Sequence, residues 1–86
     1  MKEFSYVIQD ALGIHARPAG MLAKKAKSYA DTTVTISANG KSVNAGQLMK
    51  LMGLGVKQGT EVTIACEGAN EDEACAGLKQ FMEENL

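Results

Sequence analysis

The chain carries its only histidine and its only arginine two residues apart, within the segment Gly13-Ile-His-Ala-Arg-Pro-Ala19. An imidazole nitrogen can accept a phosphoryl group, and the planar, permanently charged guanidinium of Arg17 suits phosphate oxygens. Pro18 fits the first turn of a helix, where a backbone N–H has no intrahelical partner. The amides and positive dipole end of such a turn bind anions. The segment therefore predicts a phosphoryl-carrying site, with His15 as acceptor and Arg17 as phosphate clamp.

Hydrophobic spacing places this segment between a strand and a helix. Phe4, Tyr6 and Ile8 alternate with polar residues, which predicts a strand of about seven residues with one buried face. Residues 10–14, which include Gly13, then form a loop. From Ala16 to about Tyr29 the apolar residues recur at helical spacing. The residues of that stripe are Ala19, Leu22, Ala23, Ala26 and Tyr29.

The following segment predicts a β-hairpin. Val34, Ile36 and Ala38 alternate with hydroxyl side chains, and Asn39-Gly40 is a strong signal for a two-residue turn. A short strand from Lys41 to Asn44 follows the turn.

The rest of the chain predicts a short helix, a strand and a final helix. Residues 47–52 suit a helix stopped by Gly53, and residues 60–67 alternate with apolar side chains on one side. Asn70 and Glu73 form an N-cap signature for the last helix. Its apolar stripe consists of Ala74, Leu78, Phe81 and Met82. The order βαββαβα predicts an α+β fold, a four-stranded antiparallel sheet covered on one face by helices.

Composition limits the classes of function. Eighty-six residues predict a single domain over 1–86, and the formal net charge of −1 disfavours nucleic-acid binding. No apolar run approaches about 18 residues, so we expect no membrane insertion and a cytoplasmic protein. Cys66 and Cys75 lie too far apart for a zinc or redox motif. We expect no metal site and treat both cysteines as small apolar side chains.

The motif around His15 resembles the active-site motif of HPr, the histidine-containing phosphocarrier family of the phosphoenolpyruvate-dependent sugar phosphotransferase system. The resemblance extends to Asn39-Gly-Lys-Ser-Val-Asn44, to the segment Leu48–Gly55 and to the acidic last helix, and so covers essentially the whole chain. It implies the HPr-like open-faced sandwich and phosphorylation of the Nδ1 atom of His15. It further implies a carrier, not an enzyme, that needs no cofactor. Enzyme I, charged by phosphoenolpyruvate, would be the donor, and the A domains of sugar permeases would be the acceptors.

The resemblance also implies a docking surface formed by the first helix and the short second helix of a monomer. Methionines suit a surface that meets several partners, although the same residues could belong to the core. We expect about half of these side chains to be exposed for docking. The candidate residues are Ala16, Arg17, Gly20, Met21, Lys24, Leu48, Met49, Leu51, Met52 and Gly55.

One departure from the family pattern concerns regulation. Many HPr proteins carry a kinase-regulated serine at the start of the second helix, and alignment places Gln47 at that position. Ser42, in the preceding strand, is not the equivalent residue. We therefore expect no regulatory serine.

The sequence alone leaves two alternatives open. The same chemistry could serve a regulatory, nitrogen-linked or dihydroxyacetone-kinase phosphorelay. The chain could also be a docking module with the same fold that is not phosphorylated, although the presence of both His15 and Arg17 argues against this. A stand-alone catalyst is disfavoured because the sequence offers no second general acid, base or nucleophile beside the motif.

Overall fold

The computed structural model describes residues 1–29 and 31–86, and this part of the chain forms four strands and three helices. The elements follow the predicted βαββαβα order. They are β1 (Lys2–Val7), α1 (Ala16–Lys27), β2 (Thr32–Ala38), β3 (Lys41–Asn44), α2 (Leu48–Met52), β4 (Glu61–Gly68) and α3 (Glu71–Asn85).

The four strands form one antiparallel sheet in the order β1-β4-β2-β3. Ile36 of β2 lies opposite Ile64 of β4 on one side and Val43 of β3 on the other. The period of two along each strand therefore places apolar side chains on one face of the sheet. The other face carries hydroxyl pairs, and Ser5 and Thr63 approach to 3.2 Å there.

The three helices cover the apolar face, which confirms the predicted α+β architecture. Helix α3 packs on β1, β2 and β4, and α1 packs against both α2 and α3. Small residues of α1 allow this close approach, since Ala19, Ala23 and Ala26 are all buried. Each fully buried leucine or isoleucine, such as Leu22 or Ile64, stabilises the fold by about 1.5–3 kcal/mol.

The Asn39-Gly40 turn has the backbone that its sequence predicts. Both residues have positive φ, 53° for Asn39 and 77° for Gly40, as a two-residue hairpin with the right twist requires. The Asn39 side-chain amide also donates to the carbonyl of Leu54 at 3.0 Å. The hairpin is thereby tied to the segment that follows α2.

Four predicted elements differ from the structure at their bounds, and α2 begins at Leu48, one residue later than predicted. Strand β1 begins at Lys2 and ends before Ile8, which is buried and still donates to the carbonyl of Thr60 at 3.0 Å. Helix α1 ends at Lys27, because Ser28 caps it with both its N–H and its hydroxyl donating to Lys25. Strand β4 covers Glu61–Gly68, one residue later than predicted at each end.

Candidate functional site

His15 occupies the N-cap position of α1. Its backbone is extended, with φ −110° and ψ −179°, and its carbonyl accepts the N–H of Ala19 at 2.9 Å. Pro18 is the third residue of the helix, so its missing N–H is no loss there, as predicted. The amides of Ala16 and Arg17 belong to the same turn and have no intrahelical acceptor. The imidazole therefore stands beside the positive end of the helix dipole.

Both side chains of the predicted site reach the surface. The His15 side chain is 36% exposed, and Arg17 is exposed. Across residues 1–29 and 31–86, Arg17 forms no ion pair within 4.0 Å. Its guanidinium is therefore available to an anion bound near His15, and a second protein can approach the imidazole.

The loop before His15 is anchored to segments that are distant in sequence. The N–H of Asp10 donates to a main-chain oxygen of Leu86 at 2.8 Å, beyond the end of α3. Ile14 is buried, and its N–H donates to the carbonyl of Val56 at 3.3 Å. These two contacts fix where the chain enters α1, and with it the position of His15.

The loop also places a carboxylate near the imidazole of His15. The sequence analysis did not predict this contact. One Asp10 oxygen, Oδ2, lies 3.8 Å from Nε2 of His15. The other, Oδ1, accepts the N–H of Leu12 at 2.8 Å. An aspartate that bonds the amide two residues ahead is a known turn former, so the segment Asp10-Ala-Leu-Gly13 held a signal for this geometry.

Gly13 is required by the packing of this loop. Its φ is +70°, and an added Cβ would overlap the carbonyl oxygen of Val56 and lie 2.7 Å from Cα of Lys57. We predict that Gly13→Ala lowers the free energy of unfolding by about 2 kcal/mol or more, because a left-handed backbone and a main-chain clash combine. Urea titration followed by circular dichroism measures this change.

Gly20→Ala is the matched control for that substitution. Gly20 lies within α1, and among the described residues an added Cβ there meets no atom within 4 Å other than those of its chain neighbours and of the backbone of its own helix. Alanine in a helix interior is favoured over glycine by about 0.5–1 kcal/mol, so this variant should be slightly more stable. A Gly13→Ala protein as stable as Gly20→Ala would contradict the packing argument.

Most of the predicted docking residues lie on the surface, and one does not. Met49 is 80% exposed and Leu51 is fully buried, although both belong to α2. Leu51 as a docking contact is therefore wrong. Leu51 is the residue of this five-residue helix whose side chain packs into the core. The exposed candidates are Ala16, Arg17, Met21, Lys24, Leu48, Met49, Met52 and Gly55, and Gly20 is half-buried.

We also looked among the described residues for a metal site, a membrane-spanning helix and a reactive cysteine. They include no group of three or more His, Cys, Asp or Glu side chains that could hold a metal ion. None of their helices is long and apolar enough to cross a membrane. Cys66 is buried, and this burial, together with the neighbouring Cys75, raises the pKa of its thiol to about 11. A thiol with so high a pKa is a poor nucleophile.

The fold, with a partly exposed His15 and an exposed Arg17 at the start of α1, is that of the small histidine-containing phosphocarriers. The family model described as "PTS HPr component phosphorylation site" matches residues 2–84. The phosphocarrier protein HPr of Mycoplasma capricolum subsp. capricolum is 43% identical over 82 residues, which cover 95% of this chain and 91% of that protein. The chain belongs to the HPr family. It is thus a phosphocarrier of the phosphotransferase system and not a catalytic enzyme.

Solved structures agree with this assignment. A histidine-containing phosphocarrier protein of Mycoplasma superposes with a TM-score of 0.92 at 41% identity, covering 96% of this chain and 93% of that one. HPr-C-His from Thermoanaerobacter tengcongensis superposes with a TM-score of 0.91 at 36% identity, covering 98% and 93%.

Proposed function

We propose that this chain accepts a phosphoryl group on His15 from phosphoenolpyruvate-charged enzyme I and passes it to the A domains of sugar permeases. The observation that carries the proposal is the partly exposed His15 imidazole at the N-cap of α1, with the exposed Arg17 two residues further on. Family membership supports the pathway, and this local geometry supports the residue.

The transfer needs a nucleophile and a place for the phosphoryl charge. The lone pair of Nδ1 forms the bond to phosphorus, while the bond from phosphorus to the donor breaks and the donor keeps that electron pair. The amides of Ala16 and Arg17 and the Arg17 guanidinium hold the three phosphoryl oxygens. Transfer to an acceptor is the same step in reverse, with Nδ1 as leaving group. The two amides and the guanidinium offset the negative charge of the phosphoryl oxygens, so the carrier needs no cofactor.

The surface around the site suits brief visits by several partners. Met21 of α1 and Leu48, Met49 and Met52 of α2 are exposed apolar side chains on two helices that pack together. Flexible methionines adapt to partners of different shape. A carrier must also leave each partner quickly, which favours a modest interface. We assign docking to these four residues with Ala16, Gly20, Lys24 and Gly55 around them.

The proposal also covers the oligomeric state of the protein and its location in the cell. We infer that residues 1–86 act as one domain and that the protein is a monomer in the cytoplasm. The formal net charge of −1 supports protein partners over nucleic acid.

The decisive experiment follows the phosphoryl group through both transfers. The protein is charged with enzyme I and phosphoenolpyruvate, purified, and mixed with the A domain of a sugar permease. Intact mass should show one acid-labile phosphoryl group on the carrier and then its appearance on the A domain. Charging without onward transfer to any sugar A domain would instead favour a regulatory or dihydroxyacetone-kinase relay. Failure to charge would overturn the proposal.

A further prediction concerns serine-kinase control. Gln47 is the N-cap residue of α2, and an amide cannot be phosphorylated. Ser42 lies on β3 and its hydroxyl accepts from that of Ser37 at 3.0 Å, so it stands away from the helix start. We predict that incubation with an HPr serine kinase and ATP adds no acid-stable phosphate, as measured by intact mass. Without a phosphoserine, the docking surface does not gain the charge of about −1.5 to −2 that would weaken partner binding.

Gln47→Ser is the matched variant for this test. It places a hydroxyl at the start of α2 and should gain one acid-stable phosphate under the same conditions. Stable incorporation at Ser42, or at any other serine of the unaltered protein, would contradict the prediction.

A further inference from the structure

Asp10 is held rigidly in the loop between β1 and α1. Its Oδ1 accepts the N–H of Leu12 at 2.8 Å, and its carbonyl accepts the N–H of Gly13 at 2.9 Å. Its own N–H donates to Leu86 at 2.8 Å. Three bonds thus fix both the backbone and one carboxylate oxygen. The direction of the second oxygen, Oδ2, follows from them.

Oδ2 points toward the imidazole of His15. It lies 3.8 Å from Nε2, and the Asp10 side chain is 29% exposed. This separation is longer than a hydrogen bond but within ion-pair range, and bonds at reaction sites are often long before the partner arrives. An ionised carboxylate can only accept a hydrogen bond. A neutral imidazole facing it therefore carries its proton on Nε2 and its lone pair on Nδ1.

We propose that Asp10 is a positioning residue that holds His15 in the Nε2–H tautomer and so directs phosphoryl transfer to Nδ1. The proposal rests on the phosphocarrier function proposed above. The carboxylate touches neither phosphorus nor donor, and acts only through the imidazole.

The same carboxylate also serves the phosphorylated state. When the Nδ1 lone pair forms the bond to phosphorus, Nε2 keeps its proton and the ring gains a positive charge. The donor retains the electron pair of the broken bond, and no proton leaves the ring. Asp10 then faces a cationic ring and stabilises it, as a buried aspartate stabilises the imidazolium of a catalytic triad. Arg17 and the amides of α1 face the opposite charge, on the phosphoryl oxygens.

The first test is the tautomer of His15 in the unphosphorylated protein. Nitrogen-15 shifts of the imidazole, recorded where the ring is neutral, should show mainly Nε2–H. In Asp10→Asn the side-chain oxygen can still accept the N–H of Leu12, while its NH₂ group faces Nε2 and favours the opposite tautomer. The Nε2–H fraction should fall in that variant. Asp10→Ser is the second variant, since a hydroxyl also accepts from the amide two residues ahead but offers nothing to Nε2.

The second test is the rate of phosphorylation by enzyme I. We expect Asp10→Asn to react about tenfold more slowly, equivalent to about 1.4 kcal/mol, since the pair is partly exposed to water. Glu3→Gln is the control. It removes the same charge from the exposed start of β1, at the end of the strand away from the loop, and should change neither measurement.

The outcomes separate this proposal from the function on which it rests. Tautomer fractions unchanged in Asp10→Asn and Asp10→Ser overturn the positioning role, even if the rate falls. A shifted tautomer with an unchanged rate overturns its use in phosphoryl transfer. If the unaltered protein accepts no phosphoryl group at all, the proposed function fails, while the tautomer measurement still judges the Asp10–His15 contact.

Discussion

Replacing His15 with alanine abolishes the acid-labile phosphoryl group that the chain acquires from charged enzyme I. His15 is the only imidazole in the sequence, and it lies partly exposed at the N-cap of α1. Incubation with enzyme I and phosphoenolpyruvate, followed by intact mass before and after acid treatment, measures the effect. The unaltered protein should gain one phosphoryl group and lose it in acid, and His15→Ala should gain none.

The fold should survive this substitution, so that the loss reports chemistry. Within the described residues, the His15 side chain makes no capping hydrogen bond to α1, and its removal leaves no cavity in the core. Surface changes of this kind stay within about 0.5 kcal/mol. Equal thermal unfolding of both proteins is therefore the control. A His15→Ala protein that still gains an acid-labile phosphoryl group would remove His15 from the mechanism.

Replacing Arg17 with alanine slows phosphoryl transfer in both directions while leaving the acceptor in place. The guanidinium can donate two charge-assisted hydrogen bonds to the phosphoryl oxygens, each worth about 1.5–3 kcal/mol. Loss of about 3 kcal/mol from the transition state corresponds to roughly a hundredfold lower rate. Rapid-quench kinetics with enzyme I and with an A domain measure both directions. Phosphate should still appear on His15 at long times.

Two variants separate the clamp from simple loss of charge. Lys27→Ala removes one positive charge from the last turn of the same helix and should leave the rates unchanged. Arg17→Lys keeps the charge but loses the planar fork, so an intermediate rate is expected. Transfer kinetics in Arg17→Ala that match those of the unaltered protein would refute the clamp.

Local signals in the sequence predicted the fold well. The Asn39-Gly40 turn needs positive φ, which these residue types tolerate, and Pro18 marks a first helical turn. Alternation in β2 and β4 placed Ile36 and Ile64 on the buried face correctly. Such features depend on neighbours within a few residues, so a single sequence reveals them.

Contacts between segments that are distant in sequence could not be predicted from such local patterns. The burial of Leu51 depends on how α2 rests on the rest of the molecule, since its neighbours Leu48, Met49 and Met52 are equally apolar but exposed. The approach of Asp10 to His15 depends on a loop whose ends are set by Val56 and Leu86. The burial of Leu51 determines which side chains of α2 a partner can contact. The position of Asp10 determines which nitrogen of the His15 ring keeps a free lone pair.

The anchoring of the loop before His15 also ties the site to the stability of the whole domain. The amides of Asp10 and Ile14 are bonded to residues far along the chain, so their exchange with solvent requires Leu86, which is buried, or the segment before β4 to separate from the loop. Their hydrogen exchange should therefore approach that of the core and not that of a surface turn. A partner then meets an imidazole whose position is already fixed, and little binding energy is spent on ordering the carrier. Differences in transfer rate among partners would accordingly arise from the partners.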